Sequence, residues 1–329
     1  MSTTPHVHIQ NFPALGSVFE ITPARLDEAL NRHRDIAARV SVTMGADEQA
    51  LSDALVSVNV LFGWDFDRAA LRTSARNLQL IQTQGAGVNH LLPLDWIPEN
   101  VTLANCRGAH GERASEYLIM AILALNNGLP TMATHQHQSK WHQIHRSVIT
   151  GKTLLIVGVG CVGGDTARRA QNFEMRVVGI RRTAQPHVHV DEMHPPEDLH
   201  RLLPHADFVI ITAPHTTATD CLIGAQELAL MKSGAGLVNY SRSKLVDYEA
   251  LRAELSAGRL SAVLDVFDAE PLASDSPLWS TPNLLVTPHC CSNDPENHAP
   301  RSLDILFDNV ARLADGRALR NVVDPALQY

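Results

Sequence analysis

"LIVGVGCVGGDTARRAQNFEMRVVGIRRT", Leu155 to Thr183, runs from an apolar strand through three spaced glycines into a helix and out along a second strand. Gly158-x-Gly160-x-x-Gly163 therefore stands between strand and helix, the context in which the motif signals dinucleotide binding. The first glycine permits the tight bend, the second lets backbone approach a pyrophosphate, and the third lets helix pack on strand. The helix start, with Cys161 and Val162, offers N–H groups and a partial positive charge to that anion. A glycine-rich turn can also arise without a ligand; the strand on each side favours the binding reading. One position departs from the usual pattern. Where an acid would take the adenosine ribose hydroxyls, 18 residues after Gly163, stands Arg181, followed by Arg182 and Thr183. A guanidinium there suits a 2′-phosphate. The pair favours NADP(H), with NAD(H) as the other candidate; two solvated arginines are the plain alternative.

Outward from this unit, α and β signals alternate to both ends of the chain. "HVHIQ", "ALVSVNVLF", "LQLIQT" and "VTLANC" read as strands before it, with helices over "PARLDEALNRHRDIAARV" and "DRAALRTSAR". "DFVIIT", "GLVNYS", "AVLDVF" and "NLLVTP" read as strands after it, and "DYEALRAELSAG" as a helix ending on glycine. Such alternation predicts parallel sheets covered by helices. The pattern breaks near "CRGAHGE", Cys106 to Glu112, so two α/β units are expected. The tail "PENHAPRSLDILFDNVARLADGR" reads as one amphipathic helix whose home periodicity alone does not give.

The 329 residues suffice for two domains, and 45% hydrophobic with 19% charged residues is a globular composition. A net charge of −8 and the lack of any Lys/Arg run argue against nucleic acid. No apolar stretch approaches the ~18 residues that span a bilayer. The start "MSTTPHVHIQNFP" shows no leader pattern, and Cys106, Cys161, Cys221, Cys290 and Cys291 form no even framework. A cytoplasmic protein with reduced thiols is the expectation. His135, His137, His142 and His145 crowd one segment, but their spacing fits no standard zinc pattern, and a solvated surface is expected; no metal is assigned.

In an open parallel sheet, ligands bind beyond the carboxyl ends of the strands. Pro214, Arg242, Asp265 with Glu270, and His289 each follow such an end. The stretches "LLIVGVGCVGG", "GLVNYSRSKLVDYEAL", "LDVFDAEPL" and "VTPHCC" resemble the signature segments of the D-isomer-specific 2-hydroxyacid dehydrogenases, in that family's order and spacing. The resemblance implies two doubly wound parallel-sheet domains. A Rossmann dinucleotide-binding domain (108–295) would be inserted in a flavodoxin-like substrate domain (1–107 and 296–329), which the last helix completes. It implies Arg242, Glu270 and His289 as a catalytic trio, Asp265 at the nicotinamide end, and Pro214 lining the cofactor cleft. Thr219, Tyr240 and Ser241 are counted with that cleft. "QGAGVNH" resembles the family's substrate loop, in which Ala86 and Gly87 N–H groups grip a carboxylate. A helix near "SEYLIMAILAL" would pair with its twin in a homodimer. Ser243 and Lys244 stand where the family most often has a glycine early in the segment, and "PHCCSN" stands where a glycine-containing turn is common.

The chemistry follows from the residue types. Reducing a 2-oxo acid needs a hydride at carbon and a proton at oxygen. His289 is the natural proton source. Glu270 would orient the ring, and Arg242 would hold the carboxylate and polarise the carbonyl. The related formate dehydrogenases, which move no proton, have glutamine in place of this glutamate. Cys290 and Cys291 are read as small fillers, since hydride transfer needs no covalent intermediate. Trp64 and Trp141 are candidate pocket walls, with core or surface roles as the alternative. The substrate expected is a small 2-oxo acid of the glyoxylate or hydroxypyruvate kind. The extra regulatory domain of many phosphoglycerate dehydrogenases has no counterpart here, so a phosphorylated substrate is not expected. The other class considered is a dinucleotide-sensing binding protein or corepressor on the same fold.

Overall fold

The computed structural model describes residues 4–329; Met1, Ser2 and Thr3, the head of the stretch read for a leader, lie outside the described residues. The chain divides into two compact units, residues 4–110 with Asn293–Tyr329, and Gly111–Ser292.

The first unit carries β1 (His6–Gln10), α1 (Pro23–Arg32), α2 (Arg34–Ala37), β2 (Ser41–Gly45), α3 (Glu48–Leu55), β3 (Val60–Gly63), α4 (Arg68–Ser74), β4 (Leu80–Thr83) and β5 (Thr102–Ala104). Its strands are all parallel in the order β2-β1-β3-β4-β5, the flavodoxin-like arrangement. Side-chain caps start the helices: Thr22 accepts from the Arg25 N–H, Asp47 from Ala50 and Asp67 from Ala69 and Ala70.

The second unit opens with α5 (Gly111–Asn126) and α6 (Leu129–His137), then β6 (Thr153–Val157), α7 (Cys161–Gln171), β7 (Arg176–Ile180) and β8 (Glu192–His194). It continues with α8 (Leu199–Leu202), β9 (Phe208–Ile211), α9 (Ala225–Leu230), β10 (Gly236–Asn239), α10 (Tyr248–Ser256), β11 (Ser261–Leu264) and β12 (Leu284–Val286). Seven parallel strands lie in the order β12-β11-β10-β9-β6-β7-β8. That is the Rossmann order with one further strand, and its direction of winding reverses between β6 and β9. Alternate strand residues feed opposite cores. Leu155, Val157, Val209, Ile211, Leu237 and Leu264 fill one; Leu154, Ile156, Ile210, Val238 and Val263 meet Leu118 and Ile122 of α5 in the other.

The chain then returns to the first unit with α11 (His298–Ala314). Its Ala299, Leu303, Leu306, Phe307 and Val310 pack with Val7, Ile9, Val60 and Phe62. Among the described residues no single helix is long and apolar enough to cross a membrane.

Two local expectations are corrected. "ALVSVNVLF" is not one strand: Ala54 and Leu55 end α3, and only Val60–Gly63 is extended. The Asp47 cap and the buried Leu51, Ala54 and Leu55 face extend the helix into a β-rich composition. The helix over 23–40 is broken at His33, whose backbone (φ −113°, ψ 44°) separates α1 from α2. The edge strands β2 and β8 carry little apolar signal: β2 alternates exposed and half-buried residues, and β8 is only Glu192, Met193 and His194.

Candidate active site

The glycine turn sits where the winding reverses. Gly158 has φ +105°, and a Cβ on it would run into the Ala213 backbone that follows β9. A Cβ on Gly163 would lie 2.8 Å from the Gly158 carbonyl oxygen and 3.1 Å from Ile156. Both glycines are therefore required by the packing of this turn. Gly160 is different: a Cβ there would meet nothing within 4 Å. Its missing side chain clears open space before α7, whose 11 residues begin at Cys161 without a side-chain cap. That is the cradle a pyrophosphate needs: backbone accessible, and a helix N-terminus with uncapped N–H groups.

On one side of this turn, Arg181, Arg182 and Thr183 follow β7. The Arg181 N–H donates to the His194 carbonyl at 3.1 Å, which fixes the backbone at the strand end. The Arg181 Nε is buried without a hydrogen-bond partner. Arg182 and Thr183 are exposed, as is Cys161, while Val162 packs against the core shared by α5 and α7. On the other side, after β9, Thr219 accepts from the Thr216 N–H and donates to the Pro214 carbonyl, each at 2.8 Å. Pro214 is thus held in a compact turn.

Strands β10, β11 and β12 bring the remaining residues. Ser241 Oγ donates to the Ala213 carbonyl at 2.5 Å and so ties the end of β10 to the turn after β9. Tyr240 is half-buried; burial raises its pKa, with Cys291, Arg242, Asp265 and Cys161 in electrostatic reach. Arg242 donates through Nη1 to the Ser241 carbonyl at 2.7 Å and enters no ion pair among the described residues. Burial pulls its pKa below the ordinary guanidinium range, opposed by Tyr240 and Glu270. A guanidinium so placed can receive a carboxylate.

Asp265 is fully buried, and the chain uses both its oxygens. Oδ1 accepts from Thr287 Oγ1 at 2.6 Å and from the Cys290 N–H at 3.2 Å; Oδ2 accepts from the Cys291 N–H at 3.2 Å. Tyr117 on α5 joins the Thr287 hydroxyl at 2.6 Å. This network sets the turn that carries His289, which adopts φ +47°. Glu270 is held through Oε1, which accepts the Phe267 N–H at 2.8 Å. Its other oxygen, Oε2, meets His289 Nδ1 at 2.6 Å. Both side chains remain more than a third exposed, so the pair is open to solvent and to a ligand. Cys291 is buried and its thiol pKa is raised by burial and by Asp265, whereas Cys290 is exposed.

In the first unit, Ala86 and Gly87 follow β4 in a loop held from below. Thr83 Oγ1 donates to the Gly85 carbonyl at 2.9 Å, Asn105 Nδ2 to the Ala86 carbonyl at 2.9 Å, and the Gln84 side chain to the Phe19 carbonyl. Among the described residues the Ala86 and Gly87 N–H groups donate to no backbone carbonyl. Trp64 packs over Gly85 and stacks on His90, with ring centroids 4.0 Å apart. Trp141 is 92% exposed. The His135 and His142 rings meet edge to face at 4.8 Å, and among the described residues no group of three or more ligands could hold a metal.

The structure thus brings His289 to Glu270, Asp265 to the turn before and after His289, and Ser241 to the Pro214 side of the cleft. It leaves the arginine pair apart from them, four strand steps from β11 along the sheet, roughly 19 Å. An extended dinucleotide, with one end at each place, fits that separation. Sequence reading overlooked Thr287 and Tyr117, which position the histidine turn, and His187 and Gly164 beside Arg181. The glycine doublet Gly163-Gly164 was the one visible signal.

Comparison with known proteins agrees with this geometry. The family model for the D-isomer specific 2-hydroxyacid dehydrogenase NAD binding domain matches residues 119–291, over half of the chain. The chain is 34% identical over 221 residues to glyoxylate/hydroxypyruvate reductase B of Escherichia fergusonii, covering 65% of this chain and 68% of that protein. It spans about half the length of the D-3-phosphoglycerate dehydrogenases it matches; that of Archaeoglobus fulgidus is 28% identical over 76% of this chain and 48% of its own. Among solved structures, a D-isomer specific 2-hydroxyacid dehydrogenase from Xanthobacter autotrophicus Py2, in complex with NADPH and MES, superposes with a TM-score of 0.83. It is 26% identical, covering 99% of this chain and 100% of that one.

Proposed function

The chain belongs to the D-isomer specific 2-hydroxyacid dehydrogenase family, and on that premise we infer that it reduces a small 2-oxo acid to the D-2-hydroxy acid with NADPH. The observation that carries the reading is the 2.6 Å contact of His289 Nδ1 with Glu270 Oε2, on the sheet edge that also holds the unpaired Arg242. Glyoxylate or hydroxypyruvate is the substrate class that best suits it, supported by the reductase named above. The bound dinucleotide would supply the hydride.

The chain's own residues account for the rest. Arg242 binds the substrate carboxylate and draws electron density toward the carbonyl oxygen, where charge develops. Glu270 takes Nδ1 of His289, so the proton to be delivered resides on the opposite nitrogen, Nε2. The carboxylate also stabilises the imidazolium before transfer. Asp265 and Thr287 hold the backbone that aims this ring, so the part of Asp265 at the nicotinamide end is to set this turn. The Ala86 and Gly87 N–H groups are what the first unit offers to an anionic substrate group.

Arg181 and Arg182, with no acid at the end of β7, support NADP(H) over NAD(H). Exposed Met120, Leu129 and Met132 on α5 and α6 support a homodimer through that face, and five unpaired thiols suit a reducing, cytoplasmic setting. The deciding experiment follows nicotinamide absorbance with glyoxylate, hydroxypyruvate and pyruvate, using both cofactors. Oxidation of NADPH by at least one acid is expected. No turnover with any acid and either cofactor would overturn the reading.

A further inference from the structure

Between β7 and β8 the chain makes an excursion through "RRTAQPHVHVD", Arg181 to Asp191, before rejoining the sheet. His187 from this loop lies against the first turns of α7. A Cβ on Gly164 would stand 2.7 Å from its Nε2 and 2.8 Å from its Cε1, so the ring occupies the place a side chain at 164 would fill. The His189 N–H donates to His187 Nδ1 at 3.3 Å. In the neutral ring the proton is then on Nε2, the atom turned toward α7. His189 is itself tethered to Gln171 Oε1 at 3.0 Å. Beside this imidazole, the buried Arg181 Nε has no acceptor among the described residues, and Arg181 Nη2 donates to Gln185 Oε1 at 3.4 Å. A buried donor without an acceptor is unfavourable until one arrives. The imidazole and the unsatisfied Arg181 donor thus belong to one loop, within electrostatic reach of each other and beside the first turns of α7.

We propose that His187 is a further specificity-determining contact for the 2′-phosphate of NADP(H), acting with Arg181 and Arg182, and that Gly164 is a glycine so that this ring can be seated. The inference rests on the NADP(H) reading and deepens it. The groups around the ring set its protonation. Burial, His189 and Arg181 on its own loop disfavour the imidazolium, while Asp165 on α7 favours it; the net direction is downward. The ring is therefore neutral in the free protein at pH 8, and a phosphate dianion beside it draws a proton on. NADP(H) affinity then strengthens as pH falls from 8 toward 6.5. Below about 6 the phosphate takes up its own proton and the gain ends.

Calorimetric titration of the whole chain with NADP+ and with NAD+, at pH 6.5 and 8.0, tests this without turnover. For the unaltered protein, NADP+ should bind several-fold more tightly at pH 6.5 than at 8.0, with NAD+ indifferent. His187→Gln should weaken NADP+ binding about tenfold at pH 6.5, the scale of one charge-assisted hydrogen bond. It should also remove the pH dependence and leave NAD+ alone. His187→Lys should restore affinity at both pH values. If the protein prefers NADP+ and His187→Gln changes neither its affinity nor its pH dependence, the role of His187 is overturned while the cofactor reading stands. If NAD+ binds more tightly than NADP+ at both pH values, the cofactor reading itself falls.

Discussion

His289 and His298 stand nine residues apart in the chain, one in each unit, and share nothing beyond the side chain. His289 is partly exposed, left-handed in backbone, and bonded to a carboxylate at 2.6 Å. His298 is completely buried at the start of α11, lies 4.5 Å from the Phe19 ring and 4.7 Å from that of His110, and has no hydrogen-bond partner at either nitrogen. Burial pushes its pKa down to about 3, with His110 adding to the effect. One imidazole is open to solvent and joined to a carboxylate, and the other is sealed against two aromatic rings with its charged form disfavoured. Environment, not residue type, separates chemistry from packing.

The comparison can be broken most forcefully at His289. His289→Gln should lower kcat/KM with the best 2-oxo acid by about 10²- to 10⁴-fold, on the order of 3–5 kcal/mol of barrier, with little change in Tm. A steady-state assay beside a melting curve checks both halves. Retained activity would mean that another group delivers the proton. Glu270→Gln keeps the shape but removes the charge that supports the imidazolium. A smaller loss, about 10- to 100-fold in kcat, is expected from pre-steady-state and steady-state rates.

His298 should respond in the opposite currency, stability rather than rate. Its folded pKa lies below its unfolded value of 6.5, so only the unfolded state binds the proton between those two values. Its contribution to stability is complete above pH 6.5 and is lost as pH falls toward 3. The slope is about 1.4 kcal/mol per pH unit within that window. His298→Phe should flatten the acid limb of a urea-denaturation series by that amount while kcat at neutral pH is unchanged. An identical limb in the variant would show that other groups drive it. The mildest expected effect sharpens the His289 side. Tyr117→Phe removes one hydrogen bond to Thr287 and should cost about 1 kcal/mol of stability, with a slight fall in kcat as the histidine turn loosens.

The contrast also marks what a sequence can disclose. Strands buried on both faces, such as "FVII" and "GLVN", announce themselves by unbroken apolar runs, and the polar residue after each marks where a ligand can be met. Arg242, Asp265 and His289 are legible in that way. The edge strands β2 and β8 are not, because no residue of either is fully buried. Nor are the contacts that aim the site. Tyr117 and Thr287 lie 170 residues apart and meet only because α5 covers the sheet. His298 sits in a pattern that reads correctly as an amphipathic helix, yet nothing local says that both its nitrogens will be denied a partner. His187 and Gly164 are equally silent, since the fit of a ring against a missing methyl group exists only once the loop has closed on α7.

The three glycines of the turn answer to different masters. Gly158 is barred from carrying a side chain by the neighbouring loop's main chain, and Gly163 by the strand beneath it, whether or not anything is ever bound. Of the three, only Gly160 could carry a side chain without meeting the rest of the turn, so a bound pyrophosphate is what would hold it to glycine. A descendant of this protein that abandoned its coenzyme would still be compelled to keep the first and third glycines and would be at liberty to lose the second. In surveying such descendants, the middle letter of the motif is the one that testifies to a working pocket; the outer two testify only to architecture.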